Sequence, residues 1–162
     1  MPGGVDMHCR LIAAGTRLPE WINTGFRDYQ QRLRKPLTLE LQEIPLGARS
    51  AGKNPRTAMA EEGGAMRAAL RDEDYVVALQ VDAPSMSTPQ LGAWLARRLQ
   101  DGKPLALLIG GPDGLAPPCL ERADFRWSLS PLTLPHALVR IIVAEQLYRG
   151  MSLLAGHPYH RA

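Results

Sequence analysis

No apolar run in this chain approaches the roughly 20 residues that cross a bilayer. Nor does a cationic segment lead into an apolar core at its start, as a secretory signal would require. A membrane partner is therefore not expected, and a cytoplasmic location is. Cysteine is scarce, with only Cys9 and Cys119 present. There is no CxxC pair and no Cys/His cluster at metal-ligand spacing, so no metal site is expected. A cytosolic chain keeps its thiols reduced, and both cysteines should be buried small hydrophobes. The GxGxxG and GxxxxGK[ST] fingerprints are also missing, which removes the two common phosphate-loop signatures. The chain contains no internal repeat, low-complexity tract or interdomain linker.

What is there fits one domain with one sizeable core. The 162 residues are 45% hydrophobic and 22% charged, with a formal net charge of +3. That mild basic bias is consistent with an anionic partner without requiring one. Its distribution says more. Between Gly47 and Thr57 stand Arg49, Lys53 and Arg56 with no acid, among Gly47, Gly52 and Pro55. Such a loop suits a phosphate backbone, and it equally suits plain solvation.

Residues 1–6 read as an extension, and residues 7–162 as the domain. "HCRLIAAG" reads as a buried strand ending at Gly15. Pro19 suits a helix start, and Trp21, Ile22, Phe26, Tyr29 and Leu33 recur at helical spacing over about 19–34. "LTLELQEI" alternates like a strand with one wetter face. Residues 55–71 should be helical. Tyr75 to Val81 is a β-branched run. Thr88 and Pro89 read as the N-cap and first residue of a helix to about Gln100. Pro104 to Ile109 is a further apolar strand, "FRWSLS" is short and extended, and Pro135 to Leu154 is a long helix. Strands alternating with helices, with apolar central strands, indicate an α/β fold whose mainly parallel sheet is covered on both faces.

Two segments could carry chemistry. "LLIGGPDG", Leu107 to Gly114, follows a buried strand, and its glycines allow close approach of a ligand or simply a tight turn. "WSLSPLTLPHALVR", Trp127 to Arg140, offers backbone polar groups between apolar walls ahead of the last helix. His136 could merely pack or cap there. Glu145 and Arg149 match a helical i,i+4 pair.

Together, "LLIGGPDGL", "WSLSPLTLPHALVRIIVAEQLYR" and the terminal "HPYHR" resemble the RlmH family. These are SPOUT-class methyltransferases of large-subunit ribosomal RNA that use S-adenosyl-L-methionine. "AAGTRLPEWINTGFRDY" fits as well, so the likeness runs from Met7 to Arg161. The resemblance implies a C-terminal trefoil knot, a rare exception to the rule against knots, and a homodimer whose sites are completed across the interface. It implies a cofactor pocket from Leu79, Gly111, Ser130, Pro131, Leu132, Thr133, Leu134 and Pro135, with Leu129 at its edge. The implied substrate is a pseudouridine of 23S rRNA in the assembled ribosome, methylated at N3. Gln80 stands where many relatives carry an acid, and Asp82 follows.

In that setting the polar tail acquires a purpose. N3–H of the ring must lose its proton. His160 is a candidate base, Arg161 a cation for the resulting anion or a phosphate, and Tyr159 a stacking or hydrogen-bonding group. The tail is expected over a cofactor pocket, either its own or that of the neighbouring subunit. Two other classes stay open on the residues alone. One is a ribosome-binding factor without catalysis. The other is a conventional dinucleotide enzyme, against which the single glycine of "AAGTRLP" counts.

Overall fold

The computed structural model describes residues 6–49, 52 and 54–160. Lys53 and Arg161 lie outside them. β1 (Met7–Ala14), β2 (Leu37–Ile44), β3 (Tyr75–Leu79), β4 (Leu105–Ile109) and β5 (Phe125–Trp127) form one sheet in the order β2-β1-β4-β3-β5. Every pairing is parallel. Parallel neighbours need crossovers, and helices supply them. These are α1 (Glu20–Arg32), α2 (Pro55–Ala69), α3 (Thr88–Asp101) and α4 (Pro117–Arg122), with α5 (His136–Leu154) closing the fold. The expected α/β architecture is thus observed. No helix among the described residues is long and apolar enough to cross a membrane.

Period-2 alternation sends each strand's side chains into two cores. Cys9, Leu11 and Ala13 of β1 join Leu107 and Ile109 of β4 and Val77 of β3 on one face. There they meet Phe26 of α1, Leu91, Trp94 and Leu95 of α3, and Val143, Ala144 and Leu147 of α5. Ile12, Ala14, Val76, Ala78, Ala106 and Leu108 face the other way, against Met66 of α2 and Cys119 of α4. Both cysteines are free and buried, as the composition suggested, and burial pushes both thiols upward in pKa. β2 is an edge strand, which explains its wetter face: Thr38 and Glu40 are exposed while Leu37, Leu39 and Ile44 are buried.

Three boundaries differ from the sequence reading. The N-cap of α3 is Ser87, not Thr88. Ser87 Oγ accepts from Gln90 N at 3.3 Å and Ser87 N donates to Gln90 Oε1 at 2.8 Å, a reciprocal capping box that Thr88 could not make with this glutamine. β3 ends at Leu79: Gln80 N makes a last bond to the neighbouring strand, at Trp127 O and 3.0 Å, and the chain then turns. α4 was not anticipated. Pro117 and Pro118 open it, at first-turn positions where a missing N–H costs nothing.

Trp94 holds the sheet edge against α3. Its ring meets Tyr75 edge-on at 6.2 Å between centroids and Phe125 at 5.5 Å. Trp94→Ala should therefore cost about 4 kcal/mol in urea unfolding, the usual loss for a buried aromatic. A loss under about 1 kcal/mol would show that β5 and α3 do not depend on this contact.

Candidate functional site

Beyond the C-terminal ends of β3 and β4 lies a cavity of about 350 Å³. Its floor is Leu79, Gln80 and Ile109, and one wall is the loop from Gly110 to Leu115. That loop is at once a tight turn and a cavity wall. Gly114 N donates to Gly111 O at 3.0 Å, and Gly114 has φ +87°. At Gly110 a Cβ would fall 2.4 Å from the backbone carbon of Gly114, so only glycine lets the loop fold back.

The opposite wall is the segment after β5. Ser128, almost fully buried, places Oγ 2.9 Å from the carbonyl oxygens of both Val81 and Ser130. Its N–H donates to Pro84 O at 2.9 Å. Leu132 N donates to Ser130 Oγ at 3.0 Å. These bonds tie the segment to the exit of β3 and leave Leu129, Ser130, Leu132, Thr133 and Leu134 lining the cavity. Leu132 is 71% exposed at this wall, the most exposed large hydrophobic residue described.

Most residues expected in the pocket meet here. Pro131 and Pro135 do not line it. Pro131 is exposed on the outer side of the turn, and Pro135 serves as the N-cap residue of α5. Gly111 lines the cavity, yet a Cβ there would point away from it, to Leu46 Cδ2 at 3.0 Å and Glu62 Oε1 at 3.1 Å. Gln80 and Asp82 both line the cavity, so a carboxylate is present although it is not the residue after Leu79.

Two site features escaped the sequence reading. The first is Arg140, 1% exposed on α5. It donates to Gly15 O at 2.8 Å, Ala14 O at 3.4 Å and Glu43 Oε2 at 2.6 Å. This clamps the first turns of α5 to the ends of β1 and β2. It also positions His136 and Val139, both of which line the cavity. An arginine among the apolar residues Val139, Ile141 and Ile142 was the available signal. The pKa of His136 is lowered, first by burial and then by Arg140 and Arg49, with Glu62 partly opposing. That shift favours the neutral imidazole.

The second is Glu62, 3% exposed on the buried stripe Ala58–Glu62–Met66 of α2. A carboxylate in that stripe demands a cation, and Arg49 provides it. Arg49 donates to both Glu62 oxygens and, through Nε, to Asp113 Oδ2 at 2.9 Å, while Gly47 N donates to Glu62 at 2.9 Å. Two carboxylates hold its guanidinium further above its ordinary pKa. Arg49 therefore pins the basic loop to α2 and to the tip of the glycine loop, rather than presenting its charge to a phosphate. Arg56, at the exposed start of α2, donates its N–H to Asn54 Oδ1.

The tail lies elsewhere. Pro158–His160 form a 3-10 turn packed on α5. Tyr159 donates its hydroxyl to Glu145 Oε2 at 3.0 Å, packs edge-on against Tyr148 at 4.5 Å and lies under Arg149 at 5.1 Å. Burial and hydrogen bonds to Tyr29 and Glu145 raise its pKa. The expected Glu145–Arg149 pair is present at 3.0 Å. Glu145 stands nine residues beyond His136 on α5, roughly 14 Å along the helix axis. Within one chain the tail is anchored away from the cavity.

Residues 7–160 match the family described as Predicted SPOUT methyltransferase. Curated relatives named Ribosomal RNA large subunit methyltransferase H are similar over nearly the whole chain. That of Alkalilimnicola ehrlichii is 58% identical, over 96% of this chain and 100% of its own. That of Chromohalobacter salexigens is 51% identical, over 96% and 100%. Among solved structures, a probable methyltransferase from Bordetella pertussis Tohama I superposes with a TM-score of 0.56 at 19% identity, over 90% of this chain and 95% of that one. It supports the fold.

Two measurements test the site's construction. Glu62→Gln should lower stability by about 3 kcal/mol, since it leaves Arg49 poorly paired; an unchanged melting temperature would refute the pin. Because the folded protein holds His136 neutral, the unfolded chain takes up a proton first as pH falls below the ordinary imidazole value. Stability should drop in that acid window, and His136→Gln should flatten the drop. Equal slopes for wild type and variant would remove His136 as the cause.

Proposed function

The chain belongs to the SPOUT methyltransferase family and is a ribosomal RNA methyltransferase, and we propose that it methylates N3 of a pseudouridine in 23S rRNA of the assembled ribosome from S-adenosylmethionine. The reading rests on one observation above all. Leu79, Gly111 and the stretch from Leu129 to Leu134, except Pro131, converge on one cavity beyond the strand ends. A non-catalytic ribosome-binding factor would need no such cavity, and full-length relatives named as methyltransferases speak against that alternative.

The residues suit the cofactor. Leu79, Ile109, Leu129 and Leu134 offer apolar walls for an adenine ring, the backbone of Gly110–Leu115 and Ser130 offers polar groups, and Asp82 offers a carboxylate for hydroxyl or ammonium groups. When bound, the cofactor supplies an electrophilic methyl group on a sulfonium. Transfer is an in-line displacement, so holding the acceptor nitrogen in line is the protein's chief task. The N3 proton must leave, and Arg161 is assigned to stabilise the resulting ring anion. His160 is assigned to receive the proton. Tyr159 is the anchor of both, through Glu145 and Tyr148, rather than a stacking platform.

Anchoring the tail on α5 gives it one productive destination, the cavity of a second subunit. The protein therefore acts as a homodimer, in which the apolar side of α5 and exposed Leu132 contribute to the interface, and the chain threads as a trefoil knot around the cavity. Arg56 and Lys53 are assigned to RNA phosphate. The protein works in the cytoplasm, where ribosomes are.

Mixed dimers test the shared site. Thr133→Trp should fill the cavity and abolish cofactor binding in calorimetry. Deleting Tyr159 to Ala162 should abolish methylation of unmodified ribosomes while sparing cofactor affinity. Co-refolding the two inactive chains should restore about a quarter of wild-type sites, as random pairing in a two-fold dimer gives. No recovery from the mixture would sink the cross-subunit arrangement.

A further inference from the structure

A second cavity of about 350 Å³ opens at the other end of the sheet, beside the last turns of α1, α3 and α5. Its apolar surface is built from Leu33, Leu99, Met151 and Leu154. Around it stand Arg32, Arg34, Lys35 and His157, and no lining residue is acidic. Arg32 and Lys35 reach carboxylates outside the cleft, Asp28 at 3.1 Å and Asp6 at 3.3 Å, in exposed pairs that water and salt weaken readily. Arg34 is exposed. Arg32 also spreads over the rings of Tyr29 and Tyr148, at 5.0 and 5.8 Å.

An apolar floor under a cationic rim matches one chemistry in particular, an unstacked base with its phosphodiester. We propose that this cleft is a second RNA-contact site, which seats one nucleotide of the ribosomal RNA strand away from the reacting base. The inference rests on the rRNA methyltransferase reading, which supplies the anionic partner. Position supports it. His157 forms part of the wall, and two residues later Tyr159 fixes the tail to α5. A strand held in the cleft thus runs beside the turn Pro158–His160. The cleft gives the protein a grip on its substrate near the tail.

The test compares the Arg34→Glu/Lys35→Glu double variant, Met151→Trp, which fills the floor, and Arg97→Glu, an exposed charge reversal on α3 outside the cleft. The probe is unmodified 70S ribosomes titrated across a salt series. The double variant should lose about tenfold or more in affinity and flatten the log–log salt slope by about 1.4 to 1.8, as loss of two phosphate contacts requires. Met151→Trp should weaken binding with the salt slope preserved. Single-turnover methylation at saturating ribosomes and calorimetric cofactor affinity should stay at wild-type values in all variants.

Affinity in the double variant equal to that of Arg97→Glu would overturn the proposal. A fall from dimer to monomer in light scattering would overturn it too, by making the cleft a subunit contact. A wild-type protein that binds ribosomes through the cleft yet transfers no methyl group would sustain the cleft and count against the enzymatic reading.

Discussion

A single buried guanidinium governs where the site can be. Arg140 has almost no exposure, and a charge removed from water must find its hydrogen bonds inside the protein. Its two terminal nitrogens find them at the carbonyl oxygens of Ala14 and Gly15 and at the Glu43 carboxylate, the adjacent ends of β1 and β2, while Nε is left without a partner among the described residues. Those bonds set the axial position and rotation of α5 against the sheet. His136 and Val139 reach the cavity from that placement, and the Ser128–Pro135 segment must close the gap from β5 to it. The position of the cavity wall therefore follows from where one buried cation is held.

The other wall depends on a second cation in the same way. Arg49 joins Glu62 on α2 to Asp113 at the tip of the glycine loop. In sequence it looked like one of three charges open to RNA. In the fold its donors are consumed by two carboxylates, one of them nearly inaccessible. Loop basicity alone was a poor guide because the compensating acids lie 13 and 64 positions away along the chain.

α5 then connects two cavities that lie a helix apart. Its first turns meet the cavity, and its last turns carry the basic cleft and the anchored tail. A rigid helix keeps these ends separate within a chain, since its length does not shrink to bring them together. In the proposed dimer, a second chain supplies the cavity that the tail cannot reach within its own chain.

The alternation of Cys9, Leu11 and Ala13 with Ile12 and Ala14, and the apolar runs at Tyr75 and Leu105, by themselves determined a two-faced parallel sheet with helical crossovers. Periodicity is local, and local spacing decides which side of a strand a residue faces. The glycine loop was legible only as a tight turn or a ligand wall, because glycine constrains backbone at the residue where it stands, and the resemblance to the family is what joined it to the Ser-Pro-Leu segment in one pocket. Only the tertiary structure decided that the cap of α3 is Ser87, that Pro131 and Pro135 turn away from the cavity, that Arg49 is a structural pin, and that Arg140 and His136 belong to the site. Each of those outcomes depends on which distant groups share a desolvated space. Desolvation is a property of packing, so no spacing within a segment can report it.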